Sequence, residues 1–279
     1  MLPSAATSKR LLRPRRGLVS LNLGELWRYR ELFWFLAWRD VLVKYKQTYL
    51  GVAWAILQPL LTVIIFSLVF GKAAKFPTNG APYVILTFAA LLPWQFFSNA
   101  LGDSSNSLVA SAHMISKVYF PRLIIPSSAV LSGIIDFIIG LGLLFVLMLC
   151  YKVPFRPTLL LIPFFFAVAT AAAFSAGIWL SALHVKYRDV KYIVPFFTRM
   201  GLYASPVGFL STIVPLKWRF LYNLNPMVGV IDGFRWCVLG SDFKPYWPTF
   251  AISISVTILL LVSGVLYFRS TEKTFADLI

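Results

Sequence analysis

"LIIPSSAVLSGIIDFIIGLGLLFVLMLCY", residues 123–151, runs for 29 residues with one charge, Asp136. A helix needs about 20 apolar residues to cross a bilayer, so the stretch is a membrane span. Its lone carboxylate demands a partner or a wet cavity, because a charge in hydrocarbon is expensive. Working outward, charge-free runs at 47–71, 76–102, 157–183 and 245–268 reach the same length, and 192–216 is interrupted only by Arg199. Six candidate spans result. The composition agrees, at 59% hydrophobic and 13% charged, outside the range of an ordinary soluble domain.

A net charge of +16 does not point to nucleic acid, which would need the charge on a soluble face. Here it gathers at membrane edges. Ten of the 26 Lys and Arg lie in residues 1–50, before the first span. With a cytoplasmic N-terminus, the six spans put 17 basic residues inside and 8 outside, with Arg199 within a span. That is the positive-inside bias, and both termini are expected in the cytoplasm. Residues 1–24 hold five basic residues and no acid, and read as a disordered cytoplasmic tail without the apolar core of a secretory signal. Cys150 and Cys237 are too few for a disulfide framework or a metal cage.

Residues 25–46, "ELWRYRELFWFLAWRDVLVKYK", read as a helix lying on the membrane. At 100° per residue Trp27, Trp34, Trp38, Val41 and Tyr45 form one stripe, while Arg28, Arg39 and Lys46 cluster elsewhere. Indoles favour the headgroup region and basic side chains face anionic lipid; a helix packed against the bundle is the plainer alternative. The remaining chain, 25–279, reads as one transmembrane domain with spans at about 51–71, 83–101, 123–150, 157–183, 192–213 and 247–268. The fourth carries Ala169, Ala173, Gly177 and Ser181 at four-residue spacing, which lets helix backbones approach closely. Between the second and third spans, 105–119 reads as an amphipathic helix. Leu108, Ala112, Ile115 and Tyr119 fall on one side of it, and Asn106, His113 and Lys117 on the other. Residues 214–243 hold no run long enough to span and read as short re-entrant or surface helices on the outer side.

No G-x-x-x-x-G-K-[ST] stretch is present, so the chain itself does not hold a nucleotide in the usual way. His113 and His184 lie in different loops, and no paired acids stand ready to hold a metal for group transfer. The chain reads as a poor enzyme, without cofactor or metal. Asp136 and Arg199 differ in depth by roughly 10 Å at ~1.5 Å per residue, near the limit of an arginine's reach, so they could pair. Arg199 could equally snorkel to the cytoplasmic interface. Tyr83, Trp94, Phe96 and Phe97 offer flat apolar faces that would suit a passage for a long glycan, or lipid-facing bulk.

Seven segments in order, "RDVLVKYKQTYLGVAWAILQPL" (39–60), "LPWQFFSNAL" (92–101), "ISKVYFPR" (115–122), "LHVKYRDVKYIVP" (183–195), "SPVGF" (205–209), "NPM" (225–227) with Arg235 downstream, and "FRSTEKTFADLI" (268–279), are similar to those of a known family. The chain resembles the permease subunits of ABC-2 type exporters for bacterial polysaccharides, the O-antigen, capsule and teichoic-acid group. The resemblance implies an all-α fold of six spans with an interfacial helix and external re-entrant helices. It implies a homodimer in the bacterial inner membrane, with two copies of a separate ATPase that binds ATP and Mg²⁺. The 105–119 helix would be a coupling helix on that ATPase. Leu108, Ala112, Ile115, Lys117 and Tyr119 would lie at the contact, or the apolar ones would face their own bundle, with Tyr187, Arg188 and Asp189 at the same interface. Where relatives often carry a glutamine, this chain has Arg199 near the passage.

The expected cargo is a polyprenyl-pyrophosphate-linked polysaccharide, O-antigen first among the candidates. Arg28, Arg30, Arg39, Lys44 and Lys46 lie beside the first span, where fixed positive charge would attract the pyrophosphate; the same residues also satisfy the positive-inside rule. An ATP-independent flippase would share the basic and aromatic features without needing a coupling helix. A small-lipid or drug exporter would share the fold without the interfacial helix and this aromatic load. Membrane lipids are the other expected partners, and nucleic acid is not.

Overall fold

The structure, a computed structural model, describes residues 23–46, 51–240, 243 and 246–275. The expected basic tail therefore lies, but for residues 23 and 24, outside the described residues. In hydrocarbon a backbone amide must be satisfied within its own segment or a closed barrel. The described residues answer with 84% helix and no strand, so the chain is an all-α membrane protein. Five helical segments are long and apolar enough to cross a membrane, Ala53–Ala73, Tyr83–Ala110, Ile124–Cys150, Pro157–Lys186 and Trp247–Thr274.

The helix expected over 25–46 is two pieces, α1 (Leu23–Arg28) and α2 (Arg30–Lys46), broken at Tyr29. Leu36, Ala37 and Val41 are the buried side of α2. Trp27, Trp34 and Trp38 stay exposed at 72%, 65% and 59%. The stripe drawn through the tryptophans and Val41 is thus split between an outer and a packed face, and α2 packs along α6 (Ile124–Ser132). The first span is α3 (Gly51–Phe66), continued by a π-helical stretch, Ser67–Ala73.

The second span and the amphipathic segment are not separate. α4 (Tyr83–Ala110) runs unbroken through both; the chain bends at Ser111, and α5 (Ala112–Lys117) is only six residues. The third span is α6 and α7 (Ile134–Cys150) with an irregular turn at Gly133, so Asp136 sits in the first turn of α7 rather than mid-helix. α8 (Ile162–Lys186) carries the small-residue row, and Ala169, Ala173 and Ser181 are fully buried. It lies along α4 so closely that a Cβ on Gly177 would stand 2.4 Å from the Ser104 hydroxyl.

The fifth expected span, 192–213, is not one helix. α9 (Val190–Ala204) ends at Ser205, which is extended (φ −88°, ψ 156°). Pro206 explains the stop, because proline drives the preceding residue out of helical geometry. Fifteen residues make about 22 Å of helix, short of the ~30 Å hydrocarbon core. Over 214–243 stand α10 (Leu216–Asn223) and α11 (Pro226–Leu239), and α11 is sunk among α4, α8 and α12 (Trp247–Thr271).

Candidate substrate path and coupling surface

Asp136 has its partners on α2. Its two carboxylate oxygens accept from the Lys44 ammonium and the Tyr45 hydroxyl. The pair with Arg199 is not made; Arg199 is exposed on α9 and has no salt bridge among the described residues. Burial pushes the Tyr45 phenol up, and the bond to Asp136 and its negative charge push it further, so the group remains a donor. These contacts tie the end of α2 to the third span. Beside them lies a cavity of about 340 Å³ between α2, α3, α4 and α7, bordered by Trp54, Gln58, Gln95, Phe96 and Asn99 as well as the Lys44–Tyr45–Asp136 cluster. A second cavity, of about 410 Å³, shares Lys44 and opens toward Asp103, Asn106 and Ser111.

The cationic set expected to meet a pyrophosphate is thinned by local pairing. Lys44 is committed to Asp136, and Arg39 donates Nε and Nη2 to Asp40 at 3.0 and 2.8 Å. Arg30 lies over the Trp27 ring, 5.7 Å from its centroid. Arg28 and Lys46 are exposed. Among the described residues that leaves Arg28 and Arg30 around the start of α2 and Lys46 at its end as the members of the set without an acidic partner.

The aromatics singled out for a passage are mostly core within the subunit. Trp94 and Phe96 are 5% and 3% exposed, Phe96 packing on Phe137 and Phe166 and Trp94 on Phe97. The Tyr83 hydroxyl donates to the Gly208 carbonyl at 2.6 Å. Spans that pack tightly use large rings as filler, and no periodicity separates filler from lining. On α9, by contrast, the rings are exposed: Tyr192, Phe196 and Tyr203 stand on one stripe with Arg199, and Phe197 and Met200 lie beside it.

At the opposite end of α4 the 108–119 face resolves. Leu108 and Ile115 are buried, with Ala112 half-buried, in an apolar cluster with Leu36, Val185, Phe268 and Phe275. Leu108 and Ile115 thus face their own bundle and are not surface contacts. Tyr119 leaves their stripe because α5 stops at Lys117 and Val118 is extended. It is 82% exposed. Lys117 is exposed too, and so are Tyr187, Arg188 and Asp189 after α8. The buried His184 Nδ1 meets the Ser105 carbonyl at 3.1 Å, holding the two loops at one end of the bundle. The 115–122 and 268–275 segments also meet. The Arg122 guanidinium donates to the Glu272 carbonyl, Glu272 Oε2 accepts from Arg269 at 2.9 Å, and Arg122 lies over the Phe275 ring.

On the other side, "SPVGF" and "NPM" form one staple. Asn225 caps α11 by accepting from Met227 N at 3.0 Å, and its amide donates to Ser205 Oγ at 2.8 Å. Arg235, 1% exposed, donates to the carbonyls of Leu86, Val207 and Phe209 at 3.2, 2.9 and 2.8 Å. Sequence reasoning missed Tyr45, Arg122, Glu272, His184 and the three cavity amides Gln58, Gln95 and Asn99. The only signal for the trio is three amide side chains inside otherwise apolar spans.

A bundle of apolar helices with a cavity bordered by a few polar side chains, an exposed loop surface at one end, and the sunken α11 beside the exposed α10 at the other is that of a multi-pass membrane protein. The ABC-2 type transporter profile matches residues 31–239, and the chain belongs to that family. It is 28% identical over 261 residues to an O-antigen export system permease protein RfbA of Myxococcus xanthus, covering 91% of this chain and 97% of that one. An RfbA of Klebsiella pneumoniae is 26% identical, over 94% and 98%. An inner membrane transport permease YadH of Escherichia coli is 24% identical, over 70% and 80%.

Proposed function

We propose that this chain is the permease subunit of an ATP-driven exporter that moves a polyprenyl-pyrophosphate-linked polysaccharide, an O-antigen in the first instance, across the bacterial inner membrane. The observation that carries the reading is likeness to two O-antigen export permeases along more than nine-tenths of the chain. Two copies would enclose the passage, and two copies of a separate ATPase, holding ATP and Mg²⁺, would dock on the cytoplasmic end. Lys117, Tyr119, Tyr187, Arg188 and Asp189 suit that docking: they are exposed, and the apolar cluster behind them joins α2, α4, α5, α8 and α12. A push on Tyr119 is thereby passed to the interfacial helix and to α12, since a close-packed core transmits strain. The exposed aromatic stripe of α9 replaces Trp94 and Phe96 as the surface offered to the glycan.

The test is reconstitution with the companion ATPase and lipid-linked glycan. Export should require ATP hydrolysis, and replacing Tyr119 and Arg188 with alanine should abolish capture of the ATPase while the melting temperature stays put. Export undiminished when no companion hydrolyses ATP would end the reading in favour of an ATP-independent flippase.

A further inference from the structure

Three amides, Gln58 on α3 and Gln95 and Asn99 on α4, border the 340 Å³ cavity, and none has a side-chain hydrogen bond among the described residues. Gln58 and Asn99 are exposed on segments long enough to cross the membrane. An amide facing hydrocarbon without a partner costs several kcal/mol on the order of transfer to an apolar liquid, so these side chains have something polar to meet. Phosphate does not fit. Among the described residues the charges bordering the cavity are Lys44 and Asp136, which neutralise each other, so an anion gains no net attraction there. A sugar ring does fit. Its hydroxyls both donate and accept, as amides do, and its C–H faces need an apolar wall, which Trp54, 55% exposed at the rim, provides. Apolar walls with a few convergent polar groups are the usual build of a small-molecule site. The volume suits a small head group rather than a polymer.

We propose that this cavity is a sugar subsite, in which Gln58, Gln95 and Asn99 grip an uncharged hexose at the lipid-proximal end of the cargo. The proposal deepens the export reading and rests on it. The pyrophosphate would then lie outside the cavity, toward Lys46, which follows Tyr45 at the same end of α2.

Two probes decide the matter, a short polyprenyl pyrophosphate bearing one hexose and the same lipid without the sugar. Their binding is measured on the full chain in nanodiscs of phosphatidylethanolamine and phosphatidylglycerol. Wild type should bind the sugar-bearing probe more tightly. Gln95→Leu and Asn99→Leu should each weaken that probe about tenfold, the size of one or two lost hydrogen bonds, and leave the bare lipid unchanged. Asn99, being exposed, keeps the test alive if Gln95→Leu fails to fold. Equal binding of both probes by wild type, or equal loss of both in the variants, overturns the sugar subsite. A changed mass of the assembly in the Asn99 variant also overturns it, by turning the amides toward a second copy. Failure of wild type to bind either probe brings down the export reading itself, and the subsite with it.

Discussion

Asp136 is the residue that ties α2 to the third span, because it is reached by Lys44 and Tyr45 from 92 and 91 positions away. Asp136→Asn removes the ammonium's counter-charge but leaves an acceptor for Tyr45. Lys44 keeps 39% side-chain exposure, so water softens the loss, and about 1–2 kcal/mol of stability should go. Thermal melting in detergent reads it, and Lys44→Met should cost little more on top of Asp136→Asn. Strict additivity of the two variants would mean that they are not a pair. Tyr45 carries a raised pKa. A group raised on folding contributes fully below its unfolded pKa, so the hydroxyl's share of stability should hold flat from about pH 6 to about pH 9. At the far end, Arg235→Met removes the donor that three carbonyls share, two of them, Val207 and Phe209, outside any helix, and should cost about 3 kcal/mol or more. Arg235→Lys should recover little, since an ammonium lacks the planar fork that reaches three acceptors. A lysine variant melting like wild type would show that charge alone, not geometry, holds the staple.

At the scale of elements, the contact of α4 with α8 is the spine. Gly177→Leu must displace Ser104 and should destabilise by about 1–3 kcal/mol through overpacking; an unchanged melt would mean that the two helices separate in solution. The small-residue row that makes this contact was legible, because four-residue spacing marks a helix face. Five of the six expected spans were legible too, since an uncharged run of more than 20 residues has few other fates. The break of α9 is local chemistry, Pro206 acting on Ser205, but an apolar run longer than the helix it contains hides it. What periodicity could not supply is the partner of each face. Leu108 and Ile115 look the same whether they meet a foreign subunit or Phe268 and Phe275, and the bond from Arg122 to Glu272 spans 150 positions. That bond makes α12 an extension of the 115–122 loop. Glu272→Gln keeps the length and the carbonyl that accepts from the Arg122 guanidinium, but removes the carboxylate charge that meets the Arg269 guanidinium and the Arg122 backbone N–H, so in the proposed exporter ATP hydrolysis by the companion should continue while export per ATP falls. Export and hydrolysis falling together would place Glu272 in docking rather than in transmission.

Across the whole molecule, the exposed surface sorts by chemistry. α12 shows Ile258, Leu259, Val262 and Leu266 to the outside, which is what lipid tails ask for. α9 shows Tyr192, Phe196, Tyr203 and the exposed Arg199, and a guanidinium on that face is costly unless a partner or water meets it. α9 packs on α4 and α8, and its end meets the end of α3, where Phe66 stacks on Tyr203 with centroids 6.2 Å apart, so these ends share one flank. Two copies related by a two-fold axis would turn these flanks toward each other, since an isologous interface uses the same patch twice. Cysteines placed one at a time at Phe196 and Leu259 test this in a Cys150→Ser background. Cys150 is exposed, whereas Cys237 is buried and its thiol is pushed up to about 12 by that burial, so it does not compete at neutral pH. With a short bis-maleimide in native membranes, the Phe196→Cys chain should give a covalent dimer and the Leu259→Cys chain a monomer. The reverse pattern would put α12 between the copies and leave α9, arginine included, facing lipid, an arrangement that hydrocarbon does not tolerate without a further protein to cover it.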